Sequence, residues 1–360
     1  MEEIITEALP APPLPPDVAA APAEHAFEFG GDAREYFRIW VVNLALSIVT
    51  LGVFSAWAKV RSERYFYGNT RLAGDPFEYV ARPWPILKGR VIAVVLFGGY
   101  VLAGQFNLKL QLATLALIAV LTPWLLVRGA AFRARYSVWR GINFRFVPDY
   151  AQAYVRYLVL LIPVVLTLGL MYPFVKAKQK AFFVEHHRYG GSFFSFRATP
   201  GQFYGPYLLA WLGIIVVMLV AGILSALMFA SMAPHGGRPP NWFFYAYVVP
   251  VYGGYFAVWV FLTAALSNLL YNHAALGPHT FRSTLKTTRL LGIYAGNTIA
   301  ILATAGFMIP WAKVRLARYR AENLRLIAAG DLGDFSAESR ADVGAAAAEI
   351  DGFFDIDIGL

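Results

Sequence analysis

TLGVFSAWAKVR (residues 50–61) and TAGFMIPWAKVR (304–315) are two copies of one cassette in a single chain. Seven of their twelve positions are identical, and Trp-Ala-Lys-Val-Arg is shared whole. A third copy, TLGLMYPFVKAK, occupies 167–178, and a weaker one, TPWLLVR, occupies 122–128. Each copy ends an apolar run and leads into a basic one. Gly52, Gly169 and Gly306 interrupt the three clear copies, and Pro173 and Pro310 come four residues later in two of them. Gly closing one helix and Pro opening the next is stop–start chemistry.

The residues downstream of the cassette also recur. Gly74, Gly141 and Gly191 align, as do Phe77, Phe144 and Phe194, and a reduced version, ALGPHTFRS, lies at 275–283. Glycine leading into alternating aromatic residues predicts a tight turn and a short, half-buried strand. A single hairpin is marginal in water, whereas three or more strands sharing an apolar face are stable. The hairpins are therefore expected to assemble into a small aromatic-faced sheet at a membrane surface.

Composition places the rest in a bilayer. The chain is 58% hydrophobic and 15% charged, against about 25% charged in soluble domains, and its mean hydropathy is +0.52. Apolar runs long enough to span are Ile86–Phe106, Leu110–Val127, Tyr157–Val175, Tyr207–Met232, Phe243–Tyr271 and Leu290–Trp311, with Tyr36–Trp57 a weaker one. The order is single, hairpin, single, hairpin, single. Lys and Arg cluster at the junctions, with 26 of 31 in five short stretches, so the positive-inside rule wants all five on one side. Seven complete crossings would leave one basic junction outside. Four crossings plus three half-depth segments would put all five inside, and Tyr36–Leu51, about 24 Å as a helix, is short of the roughly 30 Å hydrocarbon core. Both topologies remain open on sequence alone.

The fold class expected is mainly α: a polytopic membrane protein of internally repeated helical units, each followed by a short cytosolic β-hairpin. The expected divisions are a disordered Pro/Ala-rich tail (1–30), a first repeat block (31–149), a second (150–286), a final segment with its basic junction (287–325), and an acidic tail (326–360). That last stretch, with eight acidic residues and Arg340 alone, suggests docking of 350–360 on the basic face.

Chemistry-bearing groups are few. There is no cysteine, hence no disulfide, thiol nucleophile or Cys-ligated metal. The apolar segments hold no Asp or Glu, which lowers the expectation of ion-coupled pumping. No catalytic or metal-ligating set is recognisable, no cofactor is expected, and no nucleic-acid-binding module is visible. The polar intramembrane residues Asn43, Thr50, Asn297 and Thr304 read first as interhelical hydrogen-bonding groups and second as the lining of a polar path. Trp57, Lys59, Arg61 and Arg64, then Lys176 and Lys178, then Trp311, Lys313, Arg315 and Arg318, combine an interfacial aromatic with cations. Such a set anchors a helix at the headgroup level, and between helices it binds an anionic lipid headgroup. Glu63 and Glu322 sit among these arginines, where salt bridging is the ordinary role.

YFRIWVVN (36–43), TLGVFSAWAKVRSERYFYGNTRLAGDPFEY (50–79), PWAKVRLARY (310–319) and the ending FFDIDIGL (353–360) resemble the YjgN-like family of bacterial inner-membrane proteins. That family has no known function. The resemblance implies an inner-membrane location and supplies no catalytic residues; the apolar runs and the charge rule predict a multi-pass chain with a cytoplasmic C-terminus. The expected activity is non-enzymatic: binding, and by extension transporting, an anionic lipid or small amphipathic ligand at the cytoplasmic junctions. Membrane lipids are the expected partners; a protein partner or self-association is left undetermined. The alternative is a non-transporting membrane scaffold whose hairpins bind a protein partner.

Overall fold

The computed structural model describes residues 23–232, 241–330 and 332. One order of elements, strand–helix–helix–strand, occurs five times among them. Module 1 is β1 (Ala23–Phe29), α1 (Ala33–Val49), α2 (Ser55–Gly68) and β2 (Thr70–Leu72). Module 2 is β3 (Asp75–Tyr79), α3 (Pro83–Phe106), α4 (Leu108–Arg135) and β4 (Ser137–Trp139). Module 3 is β5 (Ile142–Phe146), a broken first helix, α7 (Tyr172–Glu185) and β6 (His187–Tyr189). That broken helix comprises α5 (Tyr150–Tyr154), a π-turn (Val155–Val159) and α6 (Leu161–Leu166). Module 4 is β7 (Ser192–Phe196), α8 (Pro200–Met232), α9 (Asn241–Asn272) and β8 (Ala274–Leu276). Module 5 is β9 (His279–Ser283), α10 (Thr287–Ala303), α11 (Ile309–Glu322) and β10 (Leu324–Ala328).

The ten described strands are antiparallel and close into one barrel. Consecutive modules meet through two-residue turns. Ala73 and Gly74, and Arg140 and Gly141, have positive φ at both central positions, the type I′ geometry that matches strand twist. The first strand of every module sends one phenylalanine inward: Phe27, Phe77, Phe144, Phe194 and Phe281. The second strands send Leu72, Trp139, Tyr189, Leu276 and Leu326. Rings pack side by side around the lumen, with Phe77–Trp139 at 5.9 Å, Trp139–Tyr189 at 5.6 Å and Phe194–Phe281 at 6.3 Å. Leu332 reaches back into this core, held by Arg140 Nη1 donating to its carbonyl at 3.1 Å. The lumen is a packed core, not a pore.

Closure depends on β1 pairing with β10, from Ala23 opposite Ala328 to Ala26 opposite Arg325. Residues 23–29 are therefore a strand and not the end of a tail, and β10 carries structure past 325. A closed barrel leaves no strand edge, so the hairpins form something more complete than an open sheet. Residues 1–22, 333–360 and the proposed docking segment 350–360 lie outside the described residues.

Because every strand–helix junction lies on the barrel, all five helical excursions leave from it and return to it. The helices pack chiefly on their sequence neighbours, and α11 packs on α1 to close the ring. Among the described residues four helices, α3, α4, α8 and α9, are long and apolar enough to cross a membrane. The segments read as single are hairpins. Asn43 Nδ2 on α1 donates to the Ala58 carbonyl on α2 at 3.4 Å, and Asn297 Nδ2 on α10 donates to Ala312 on α11 at 3.3 Å. Antiparallel return is the only arrangement that gives such pairings. At 17 residues, α1 and α10 are each about 25 Å long.

The cassette makes these reversals. Leu51, Leu168 and Ala305 are left-handed, with φ near 50°, and Gly52, Gly169 and Gly306 come next at 91°, 92° and 96°. The glycine N–H donates five residues back, to Ser47, Val164 and Ile301 carbonyls at 2.7–2.8 Å, a Schellman closure. The preceding threonine serves both helices. Thr50 Oγ1 donates to Leu46 O at 2.7 Å and accepts from Phe54 N at 2.9 Å; Thr167 and Thr304 do the same. In module 3, Pro163 lacks the N–H that would bond Val159, and Leu160 N shifts to the Val155 carbonyl at 2.9 Å, giving the π-turn.

Candidate functional site

Trp311, Arg315, Arg318 and Glu322 succeed one another at spacings of four, three and four on α11, so they form one stripe along that helix. The stripe faces a groove of about 500 Å³ at the seam between modules 5 and 1. Arg289 on α10 and Asp32 at the start of α1 complete its polar lining, and Ile293 and Val314 form its apolar floor. The Arg315 guanidinium lies 5.0 Å from the Trp311 ring centre and donates to Asn297 Oδ1 at 3.3 Å. Arg318 Nη2 donates to the Gly31 carbonyl at 3.1 Å, tying α11 to the β1–α1 junction. Tyr319, buried beneath the stripe, bridges Lys286 N and O at 3.0 and 3.3 Å.

Asp32 brings a negative charge to the rim of this groove and spends it on the start of α1. Its carboxylate accepts from the Arg34 and Glu35 amides at 2.8 and 3.1 Å, capping α1. Those amide bonds, Glu35 first, hold its pKa below the ordinary carboxylate value. Three guanidiniums against Glu322 and a capped Asp32 leave the groove net basic, with an indole wall. Planar guanidiniums present several donors to a phosphate or carboxylate and are weakly hydrated.

The other expected residues are not gathered this way. Trp57 packs on Phe54 at 6.1 Å and edge-on to Trp84 of α3 at 5.3 Å. Arg61 is exposed. Arg64 donates to the Tyr79 and Ala81 carbonyls at 3.3 and 3.2 Å, clasping module 2 as Arg318 clasps module 1. Lys59 is half-buried near Glu63 and Arg90, and its pKa is lowered chiefly by burial. Lys176 and Lys178 lie over aromatic rings of their own helix, Tyr172 and Phe174. Lys313 is exposed and off the stripe. Asn43 and Asn297 tie paired helices, and Thr50 and Thr304 cap them. Ion pairs with both partners described lie on the barrel, Arg140–Asp75 at 2.5 Å and Glu24 with Arg282 and Arg325 at 3.6 and 2.8 Å.

Arg289 and Asp32 are the groove residues sequence reasoning missed. Arg289 lies 26 residues before Arg315 and is brought to it by the return of α11 on α10, whereas Asp32 lies 283 residues before it and is brought there only by closure of the ring. Two histidines have capping roles: His186 and His273 pair Nδ1 with carbonyls one turn back, at 2.8 and 2.9 Å, in the position Asn69 and Asn323 occupy in modules 1 and 5.

Residues 24–353 match the family described as bacterial protein of unknown function, DUF898. The chain belongs to this family. It is 23% identical over 358 residues to the inner membrane protein YjgN of Salmonella typhimurium strain LT2, covering 86% of this chain and 89% of that protein. Against YjgN of Escherichia coli K12 the identity is 28% over 123 residues, covering 34% of this chain and 31% of the relative. No solved structure matches.

Proposed function

We propose that this chain is an inner-membrane protein that binds an anionic lipid headgroup in the groove between α11, α10 and the start of α1. The carrying observation is the convergence of Arg289, Arg315 and Arg318 beside Trp311 at one seam. The relatives named as inner membrane proteins and the four long apolar helices support the location.

The membrane placement rests on the barrel. All basic junctions fall at its rim, so the charge rule puts the barrel and both ends of the ring in the cytoplasm. The helices α3, α4, α8 and α9 cross, while α1–α2, α10–α11 and the module 3 hairpin enter one leaflet and turn back. Their tips suit hydrocarbon: Leu51 and Leu168 are 96% and 95% exposed, and the threonine and glycine bonds satisfy the tip amides internally. Unsatisfied amides would not be tolerated there. The packed barrel lumen favours binding or sequestration over conduction.

The absence of native cysteine makes the placement directly testable with single-cysteine variants. Asn107→Cys should label from the periplasmic side, Ser192→Cys from the cytoplasmic side, and Leu51→Cys from neither with an impermeant reagent. Periplasmic labelling of Leu51→Cys would overturn the half-depth hairpins. For the ligand, native mass spectrometry in equal phosphatidylglycerol and phosphatidylcholine should show retained phosphatidylglycerol. Equal retention of both lipids would overturn the headgroup reading, and a co-purifying protein without lipid would favour a scaffold.

A further inference from the structure

A second cavity, of about 470 Å³, lies on the opposite face of α11 from the groove. Three non-adjacent helices wall it: Phe66 and Tyr67 on α2, Ser267 and Tyr271 on α9, and Ala317 and Arg320 on α11. Its floor is Phe27 and Phe77 from the inward phenylalanine set of the barrel. Helices from modules 4, 5 and 1 reach one space only inside the helix ring, so this cavity lies within it, directly above the packed lumen.

Its lining is apolar and aromatic, and its polar groups are mostly occupied by neighbours. Thr70 Oγ1 donates to Phe66 O at 2.8 Å, Ser283 Oγ to Asn268 Oδ1 at 2.7 Å, and the Tyr67 hydroxyl pairs with Ser137 at 3.0 Å. Among the described residues, Arg320 is the one charged group in the lining. Its Nη2 donates to the Tyr294 hydroxyl at 3.1 Å, which fixes the guanidinium from the α10 side while leaving it exposed. Small side chains on α11, Ala317 and Ala321, leave the width open. The volume falls within the range of small-molecule sites, and an apolar wall with a single placed charge sets both ligand class and orientation.

We infer that this cavity holds the hydrocarbon chain of a single-chain anionic amphiphile, with its carboxylate or phosphate at Arg320. The site is separate from the headgroup groove and stands or falls independently of it. α11 is then a partition, with Trp311, Arg315 and Arg318 facing one ligand and Ala317, Arg320 and Ala321 facing another.

The probe is palmitic acid carrying a diazirine near its methyl end, photolysed with the full chain in nanodiscs and mapped by peptide mass spectrometry. Label should concentrate on peptides bearing Phe66, Phe77 and Tyr271, above the level on lipid-facing α3 and α8. Competition by unlabelled palmitate against lysophosphatidylglycerol identifies the preferred anionic end. Arg320→Ala should weaken labelling about tenfold, the expected cost of one charge-assisted contact. Ala317→Trp should abolish it, while the pair Arg315→Ala and Arg318→Ala should leave it unchanged. If Ala317→Trp does not fold, Ser267→Phe fills the cavity from α9 and should act alike. Label spread evenly over α3 and α8, or cavity label indifferent to Arg320→Ala, would overturn the site.

Discussion

Modules 1 and 5 carry nearly the same cassette and use it differently. Both tie their helices with an asparagine, Asn43 to Ala58 and Asn297 to Ala312. Both clasp the next module with an arginine, Arg64 and Arg318. They diverge at the last cassette residue. Arg315 turns in, lies over Trp311 and meets Asn297 Oδ1. Arg61 stays exposed, and Asn43 Oδ1 is buried with no hydrogen-bond partner. Trp57 meanwhile packs against Trp84 of the long helix α3, while Trp311 remains 37% exposed in its groove. The copies differ because their neighbours differ: α11 borders the short α1, which leaves a groove, whereas α2 borders the long apolar α3.

The largest test of this contrast is ligand retention. Replacing Arg315 and Arg318 together by alanine should cut phosphatidylglycerol retention by about a hundredfold or more, at roughly 1.5–3 kcal/mol per charged hydrogen bond. Arg61→Ala should leave it unchanged. Equal losses from both seams would erase the distinction.

Stability separates the two asparagines next. Asn297→Leu removes both hydrogen bonds and the partner of Arg315, and should cost about 1–3 kcal/mol in detergent unfolding. Asn43→Leu loses one 3.4 Å bond but also removes a buried unpaired oxygen, so it should be near neutral. The reverse ranking would mean that Oδ1 of Asn43 is satisfied in the membrane.

The threonine tips should behave alike in both modules. Thr50→Ala and Thr304→Ala each remove a cap and should each cost about 1 kcal/mol. A clear difference between them would show that one tip does more than reverse the chain.

The last effect is alkaline. The Tyr65 hydroxyl donates to Asp32 O and accepts from Asp32 N, both at 2.7 Å, and burial pushes its pKa up to about 12. An unfolded tyrosine ionises near 10. The neutral hydroxyl therefore contributes stability that is present below about 10 and is lost as pH rises towards 12. Tyr65→Phe should flatten the stability profile across that window, and an unchanged profile would contradict this role.

Part of this fold was legible in the sequence: the long uninterrupted apolar runs mark α3, α4, α8 and α9, and Gly52, Gly169 and Gly306 mark the breaks between the shorter helices. Closure was not legible. β1, AEHAFEF, is polar on one face and comes after a Pro-rich stretch, so it reads as tail; its partner β10 starts at the end of a basic helix. Since closure creates the seam, Trp311, Arg315 and Arg318 could be picked out by type, but their difference from Trp57, Arg61 and Arg64 depended on neighbours no local pattern encodes.

The most direct measurement is an electron cryo-microscopy map of the full chain in phosphatidylglycerol nanodiscs. A headgroup phosphate should stand among Arg289, Arg315 and Arg318 at the module 5–1 seam. A phosphate beside Trp57 and Arg61 instead, or an empty groove with lipid ordered only around α3 and α8, would contradict the assignment.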